Sequence, residues 1–248
     1  MKVRDSVPID VSKDVIDALT VMFRKKERLL PVMDGSSFVG TVRISDYLDV
    51  MRRVKNEEPE SIHLGEIVDR KPVTASPNAP IEEVIDRLCE KGVYAMPVVS
   101  GHELISMVRR EDILRRFLPL LKGKFKVKDV MSYSVSTHSI HEPLESLSER
   151  ILSGMDRRVV IMDYNKIEGT LTIQDLANVL LADKADLSGM SVKDIMAPNP
   201  VTIRKCDDAM KAGELMLEWS RWGIPVADKE LEGMVRDKDL VQRIHIIR

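Results

Sequence analysis

The sequence predicts a mixed α/β chain built from four copies of one β-α-β-β-α unit. Three observations predict it. A short pattern recurs as Gly40-Thr-Val-Arg-Ile-Ser-Asp46, Ser106-Met-Val-Arg-Arg-Glu-Asp112, Gly169-Thr-Leu-Thr-Ile-Gln-Asp175 and Gly233-Met-Val-Arg-Asp-Lys-Asp239. Its closing aspartates stand 66, 63 and 64 residues apart, and a fixed period of that size means one supersecondary unit used repeatedly. Finally, a leader recurs at Leu64–Val68, Val127–Met131 and Val192–Met196, with only a stub before the first unit. The repeats are residues 1–60, 61–121, 122–184 and 185–248. Each is small for independent stability, and pairing would bury faces that a single unit leaves wet.

The second unit shows the elements most clearly. Lys71–Ala75 is a short extended lead-in. Ile81, Val84, Ile85, Leu88 and Cys89 follow helical spacing, predicting a helix over 80–91. Pro80 suits its first turn, Glu82 and Glu83 suit the positive end of its dipole, and Gly92 suits its stop. Tyr94–Val99 and Glu103–Val108 read as strands around a Ser100-Gly-His turn, and Arg110–Phe117 reads as a second helix. The same order predicts Lys13–Phe23, Leu30–Met33, Phe38–Val42 and Ser45–Met51 in the first unit. In the third it predicts Leu144–Leu152, Val159–Met162, Glu168–Leu171 and Gln174–Leu181. In the fourth it predicts Asp208–Leu217, Ile224–Ala227, Leu231–Val235 and Lys238–Ile244. The linkers Arg52–His63, Pro119–Lys126 and Ala182–Ser191 are polar or broken by Pro or Gly.

Bulk composition narrows the function classes. A formal net charge of −2 over 248 residues gives no global attraction for nucleic acid or acidic membranes. Cys89 and Cys206 do not match in repeat position and make no disulfide framework. No stretch approaches a membrane span and the start has no signal-peptide core, so a soluble, cytoplasmic protein is expected. There is no Gly-rich phosphate loop, no nucleophile motif and no metal-ligand series, so no enzyme and no bound cofactor is expected.

The Asp-Ile-Met leader, the Pro-Val-Thr lead-in, the Ile-Pro-Val strand and the Gly-x-Leu-Thr-x-x-Asp junction together resemble the CBS domain. The resemblance covers essentially the whole chain. It implies that consecutive repeats pair about pseudo-two-fold axes, giving modules 1–121 and 122–248. It also implies an adenosine-containing ligand: AMP, ADP, ATP or S-adenosylmethionine. Four such units in one chain look like the regulatory gamma subunit of AMP-activated protein kinase.

The junction chemistry suits a nucleotide. An ionised carboxylate can accept both hydroxyl protons of a ribose, and Asp46, Asp112, Asp175 and Asp239 all stand where a helix begins. That helix start also favours phosphate. Three residues before them lie Arg43, Arg109, Thr172 and Arg236. The family's pattern has Thr or Ser here, which only Thr172 keeps; the arginines would either grip phosphate or fill the cleft. The resemblance directs Arg158, and Arg157 beside it, at phosphates. Thr74, Ser136 and Thr202 are the lead-in hydroxyls for base or ribose, a place where the first unit has Pro8. The third unit, assisted by the fourth, thus holds the fullest set.

Plainer roles compete with these. Thr172 and Asp175 also make a helix cap, whereas Arg is a poor N-cap and the arginine units would look to Ser45 or Asp237. Arg157–Arg158 also reads as a solvated surface pair, and His138 with His141 reads as a surface loop pair before a metal site. Trp219 and Trp222 are expected in a core or between repeats, with adenine stacking a minor alternative. The leading function is a sensor of adenine nucleotide acting on a separate partner protein. The alternatives are an oligomerisation module with degenerate clefts, or a sensor of S-adenosylmethionine; homodimer formation is left open.

Overall fold

Helix starts are fixed by acidic caps, and these set the element boundaries. In the computed structural model, which describes residues 7–53, 62–153, 158–182, 187 and 189–247, Asp14 caps α1 (Val15–Lys25) by accepting the Asp17 N–H at 2.7 Å. Asp208 likewise caps α9 (Ala209–Trp219) through the Met210 N–H at 2.9 Å. The predicted starts at Lys13 and Asp208 therefore move inward. Helix ends fall where the backbone turns left-handed, at Lys26, Gly92 and Ser220.

The first repeat runs β1 (Ile9–Asp10), α1, β2 (Leu29–Asp34), β3 (Ser37–Arg43) and α2 (Ile44–Arg53). A short α3 (Leu64–Ile67) follows, and then the second repeat: α4 (Ile81–Glu90), β4 (Ala95–Ser100), β5 (Glu103–Arg109) and α5 (Arg110–Phe117). The third holds β6 (Thr137–Ser139), α6 (Leu144–Leu152), β7 (Arg158–Asp163), β8 (Lys166–Thr172) and α7 (Ile173–Ala182). The last begins with α8 (Val192–Ile195) and β9 (Ala197–Pro198), and continues with α9, β10 (Gly223–Ala227), β11 (Leu231–Arg236) and α10 (Asp237–Ile247). Each predicted helix and hairpin is present, mostly with one or two residues added at the ends. A 3₁₀ turn, Leu118–Leu121, overlaps the start of the Pro119–Lys126 linker.

In repeats one and three the first strand lies parallel to the second, as β1 on β2 and β6 on β7. In repeats two and four it shrinks to single bridges, Ala75 to Val98 and Ile203 to Val226. The β2–β3, β7–β8 and β10–β11 hairpins are antiparallel, and β4 pairs with β5. The helices bury their apolar stripe: Ala18, Leu19 and Met22 of α1 and Val84, Ile85 and Leu88 of α4 are all 5% exposed or less.

The leaders are exchanged between neighbouring repeats. Asp69, after the second repeat's leader, bridges to Thr41 of the first repeat. The fourth repeat's β9 pairs with β8 of the third, and Ser132 of the third pairs with Met234 of the fourth. The recurring glycines Gly40, Gly169 and Gly233 stand at these crossings. A Cβ there would overlap the Asp69 carbonyl oxygen, or stand 2.9 Å from that of Ala197, or 2.7 Å from that of Ser132. That close approach is the reason for a small first residue in the repeated pattern.

Contacts gather in two compact units. One holds the described residues of 1–80, 93–108 and 176–186; the other holds those of 81–92, 109–175 and 187–248. Within the first, Leu29, Ala95 and Met107 form a buried cluster flanked by Tyr94 and Leu104. Within the second, α10 packs on α4, α5 and α9.

Candidate ligand-binding site

All four junctions share one hydrogen bond. Oδ2 of Asp46, Asp112, Asp175 and Asp239 accepts the backbone N–H three residues earlier, at 2.8, 2.9, 2.8 and 2.9 Å. This is the acid half of a capping box. It needs only a backbone donor, so it forms whether Thr or Arg precedes. The expectation that capping weakens in the arginine repeats is corrected on that ground.

The side chains at those positions then divide the junctions. Arg43 lies on its own aspartate, with Nη2 2.8 Å from Asp46 Oδ1 and Nε 3.2 Å from Oδ2. Arg236 places Nε 3.1 Å from Asp239 Oδ2. Arg109 is only 2% exposed. Thr172 instead donates its hydroxyl to Asp175 Oδ2 at 2.7 Å, and Asp175 Oδ1 accepts no hydrogen bond among the described residues. The third junction thus keeps a carboxylate oxygen to offer, where the first has both oxygens engaged by Arg43.

A cleft of about 250 Å³ lies beside this junction. Its walls are Thr170 of β8, the Asn199–Val201 segment, Trp219 at the end of α9, Arg221 and the start of β10 at Gly223–Pro225. Trp219 is 56% exposed, which corrects its expected place in a core. Arg158 connects cleft and junction. It sits opposite Thr172 in the β7–β8 register, and its Cδ would lie 2.8 Å from a Cβ added to Gly223. Gly223 occupies in repeat four the position that Arg158 holds in repeat three, so equivalent positions meet. In the first two repeats Leu29 meets Ala95 in the same way, and the Arg28 guanidinium stacks 3.5 Å from the Tyr94 ring centre. Such self-matching contact is what a pseudo-two-fold produces.

The lead-in hydroxyls are spread out. Thr202 is exposed and follows Val201 of the cleft wall, and Thr74 is half-buried next to buried Ala75. Ser136 Oγ lies 3.3 Å from His138 Nε2, whose Nδ1 lies 2.8 Å from Glu142. The His138 side chain is 8% exposed and that of His141 79%, so the expected surface pair is in fact one buried and one exposed histidine. No group of three metal-ligating side chains occurs among the described residues. Arg157 lies outside the described residues.

Sequence reasoning passed over Asn199, Leu215 and Arg221 as cleft residues. One signal was legible: the Asn199-Pro200 step after the leader, which marks a turn. The structure holds Asn199 there at φ +50°.

Comparison with known proteins bears on family and fold. The CBS domain family model matches residues 64–119 and 192–246. The CBS domain-containing protein YhcV of Bacillus subtilis is 32% identical over 105 residues, 42% of this chain and 75% of that one. Protein MJ1225 of Methanocaldococcus jannaschii is 24% identical over 252 residues, 91% of this chain and 90% of that protein. Its crystal structure, described as that of a candidate archaeal homologue of g-AMPK, superposes with a TM-score of 0.88, covering 97% of this chain and 96% of the other at 21% identity. A homoserine O-acetyltransferase of Methanosphaera stadtmanae is 30% identical over 206 residues, but the match spans only 40% of that enzyme. The fold defines a protein of repeated β-α-β-β-α units. The chain belongs to the CBS-domain family, with four repeats of the domain fold. Among the described residues no helix is long and apolar enough to cross a membrane.

Proposed function

We propose that the chain is a regulatory sensor of adenine nucleotide, binding it in the cleft of repeats three and four and acting on a separate protein. The observation that carries the reading is the continuity from the Trp219 cleft through Gly223 and Arg158 to the Thr172–Asp175 junction. Trp219 offers a face to the base. Asp175 Oδ1 accepts from the ribose hydroxyls, Arg158 and the α7 N-terminus face the phosphate, and Thr202, next to Val201 of the cleft wall, supplies a nearby hydroxyl. Binding that bridges two repeats favours one arrangement of the module. It shifts the population by no more than its differential affinity for the two arrangements.

The same geometry ranks the other junctions. Arg43 engages both oxygens of Asp46, so a ribose there must first displace an ion pair, whereas Arg236 holds only Oδ2 of Asp239. Asp112 with buried Arg109 is a further subsite of the proposal, ranked below the third repeat.

Calorimetric titration with AMP, ADP, ATP and S-adenosylmethionine tests the reading. Asp175→Ala is expected to weaken nucleotide binding by about 1.5–3 kcal/mol, the range for hydrogen bonds to charged groups. Arg158→Gln is expected to flatten the salt dependence of binding, because phosphate contacts of this kind are screened. Unchanged affinity in Asp175→Ala would remove the ribose role. Tighter binding of S-adenosylmethionine than of any nucleotide would change the ligand class.

A further inference from the structure

The β7–β8 and β10–β11 turns border a second depression of about 510 Å³. It is a separate place from the cleft. The cleft touches β8 at Thr170, whereas this depression touches the turn at Asn165, ~16 Å away along an extended strand. Among the described residues its lining includes one carboxylate, Glu230, and no lysine or arginine. Nearby Lys166 is held on Glu168 at 2.6 Å and Lys205 on Glu232 at 2.7 Å. Lys229, next to Glu230 in sequence, is exposed and does not line the depression. An anion finds no cationic wall here.

Tyr164 stands at the rim, 95% exposed, with left-handed backbone at φ +50°. The matching turns of the first two repeats use Gly35 and Gly101, at φ +58° and +60°. A residue with a Cβ is strained in that conformation, and strain of this kind collects at functional positions. The ring gains no burial in return. On the floor, His138 is fixed by Glu142 and Ser136, so that wall is ordered.

We propose that this depression binds an organic cation of the amine class. The ammonium sits between the Tyr164 ring face and the Glu230 carboxylate, and the Thr137 and Ser139 hydroxyls accept its remaining N–H groups. An aromatic face and a carboxylate without a competing cation are the groups such a ligand rewards. Titration of the full chain with choline and with spermidine, followed by calorimetry, tests it. Choline presents its charge to the ring and the carboxylate without N–H donors, and spermidine adds those donors. Tyr164→Gly and Glu230→Gln are each expected to weaken binding about tenfold. Tyr164→Gly is expected to keep the melting temperature at or above that of the parent, since two other repeats turn on glycine at this point. AMP affinity is expected to be unchanged in both variants, which separates this site from the nucleotide cleft. The absence of binding by either amine at ~10 mM, or binding that survives either substitution, overturns the proposal.

Discussion

Replacing Asp237 with alanine is expected to cost about 3–5 kcal/mol of stability, the range for breaking a buried ion pair by removing one partner. Asp237 Oδ1 lies 3.6 Å from Arg110 Nη1, and the two side chains are each only 7% exposed. Arg110 also donates from Nη2 to the Leu88 carbonyl at 3.1 Å, which holds the guanidinium in place. Without the carboxylate that charge stays inside a packed contact of α5 with α10. Both residues sit two before their junction aspartates, where repeats one and three carry Ile44 and Ile173. Ile44 is 3% exposed. Two apolar residues are therefore compatible with this position of the repeat. The Arg110→Ile, Asp237→Ile double variant is expected to recover most of the loss, because it removes both desolvated charges together. Urea unfolding of the three proteins checks this. A double variant as unstable as Asp237→Ala would show that the charges are not what the single change disrupts.

The Arg110–Asp237 pair marks where a linear reading of the repeats stops. Helices and hairpins were legible because their apolar residues keep a local period: Ile81, Val84, Ile85 and Leu88 turn inward on any helix. The common role of the junction aspartates was half legible. Their position is local, but the bond to a backbone N–H makes no demand on the preceding side chain, so Arg43 and Thr172 looked more different than they are. Arg158 against Gly223 was not legible, because that contact joins equivalent points of two repeats distant in sequence. Trp219 was misplaced for a related reason. Helical spacing says that a residue is on a face but not whether another element covers it, and the cleft leaves it open.

Gly40→Val is expected to destabilise the chain by about 2–4 kcal/mol, from overpacking of about 1–3 kcal/mol and weakened hydrogen bonds nearby. A Cβ at Gly40 would overlap the Asp69 carbonyl oxygen and stand 2.8 Å from Val68 Cγ2. The obstacle is mostly backbone, so no rotamer change clears it. The bonds at risk are Thr41 N–H to Asp69 O at 3.0 Å and Asp69 N–H to Thr41 O at 2.9 Å, which dock the exchanged leader on β3. Gly169→Val should behave similarly against the Ala197 carbonyl, although part of that contact is Met196 Sδ, the movable part of a flexible side chain; its cost should be the smaller of the two. Ser106 occupies the same point of the second repeat, whose hairpin β4–β5 pairs with no third strand among the described residues. There the sequence already departs from glycine, and Ser106→Val is expected to stay within about 1 kcal/mol of the parent. The order Gly40, Gly169, Ser106 in urea midpoint shifts, with unchanged slopes, is the expected result. Equal shifts at all three positions would mean that the small residue serves the hairpin itself and not the leader that crosses it.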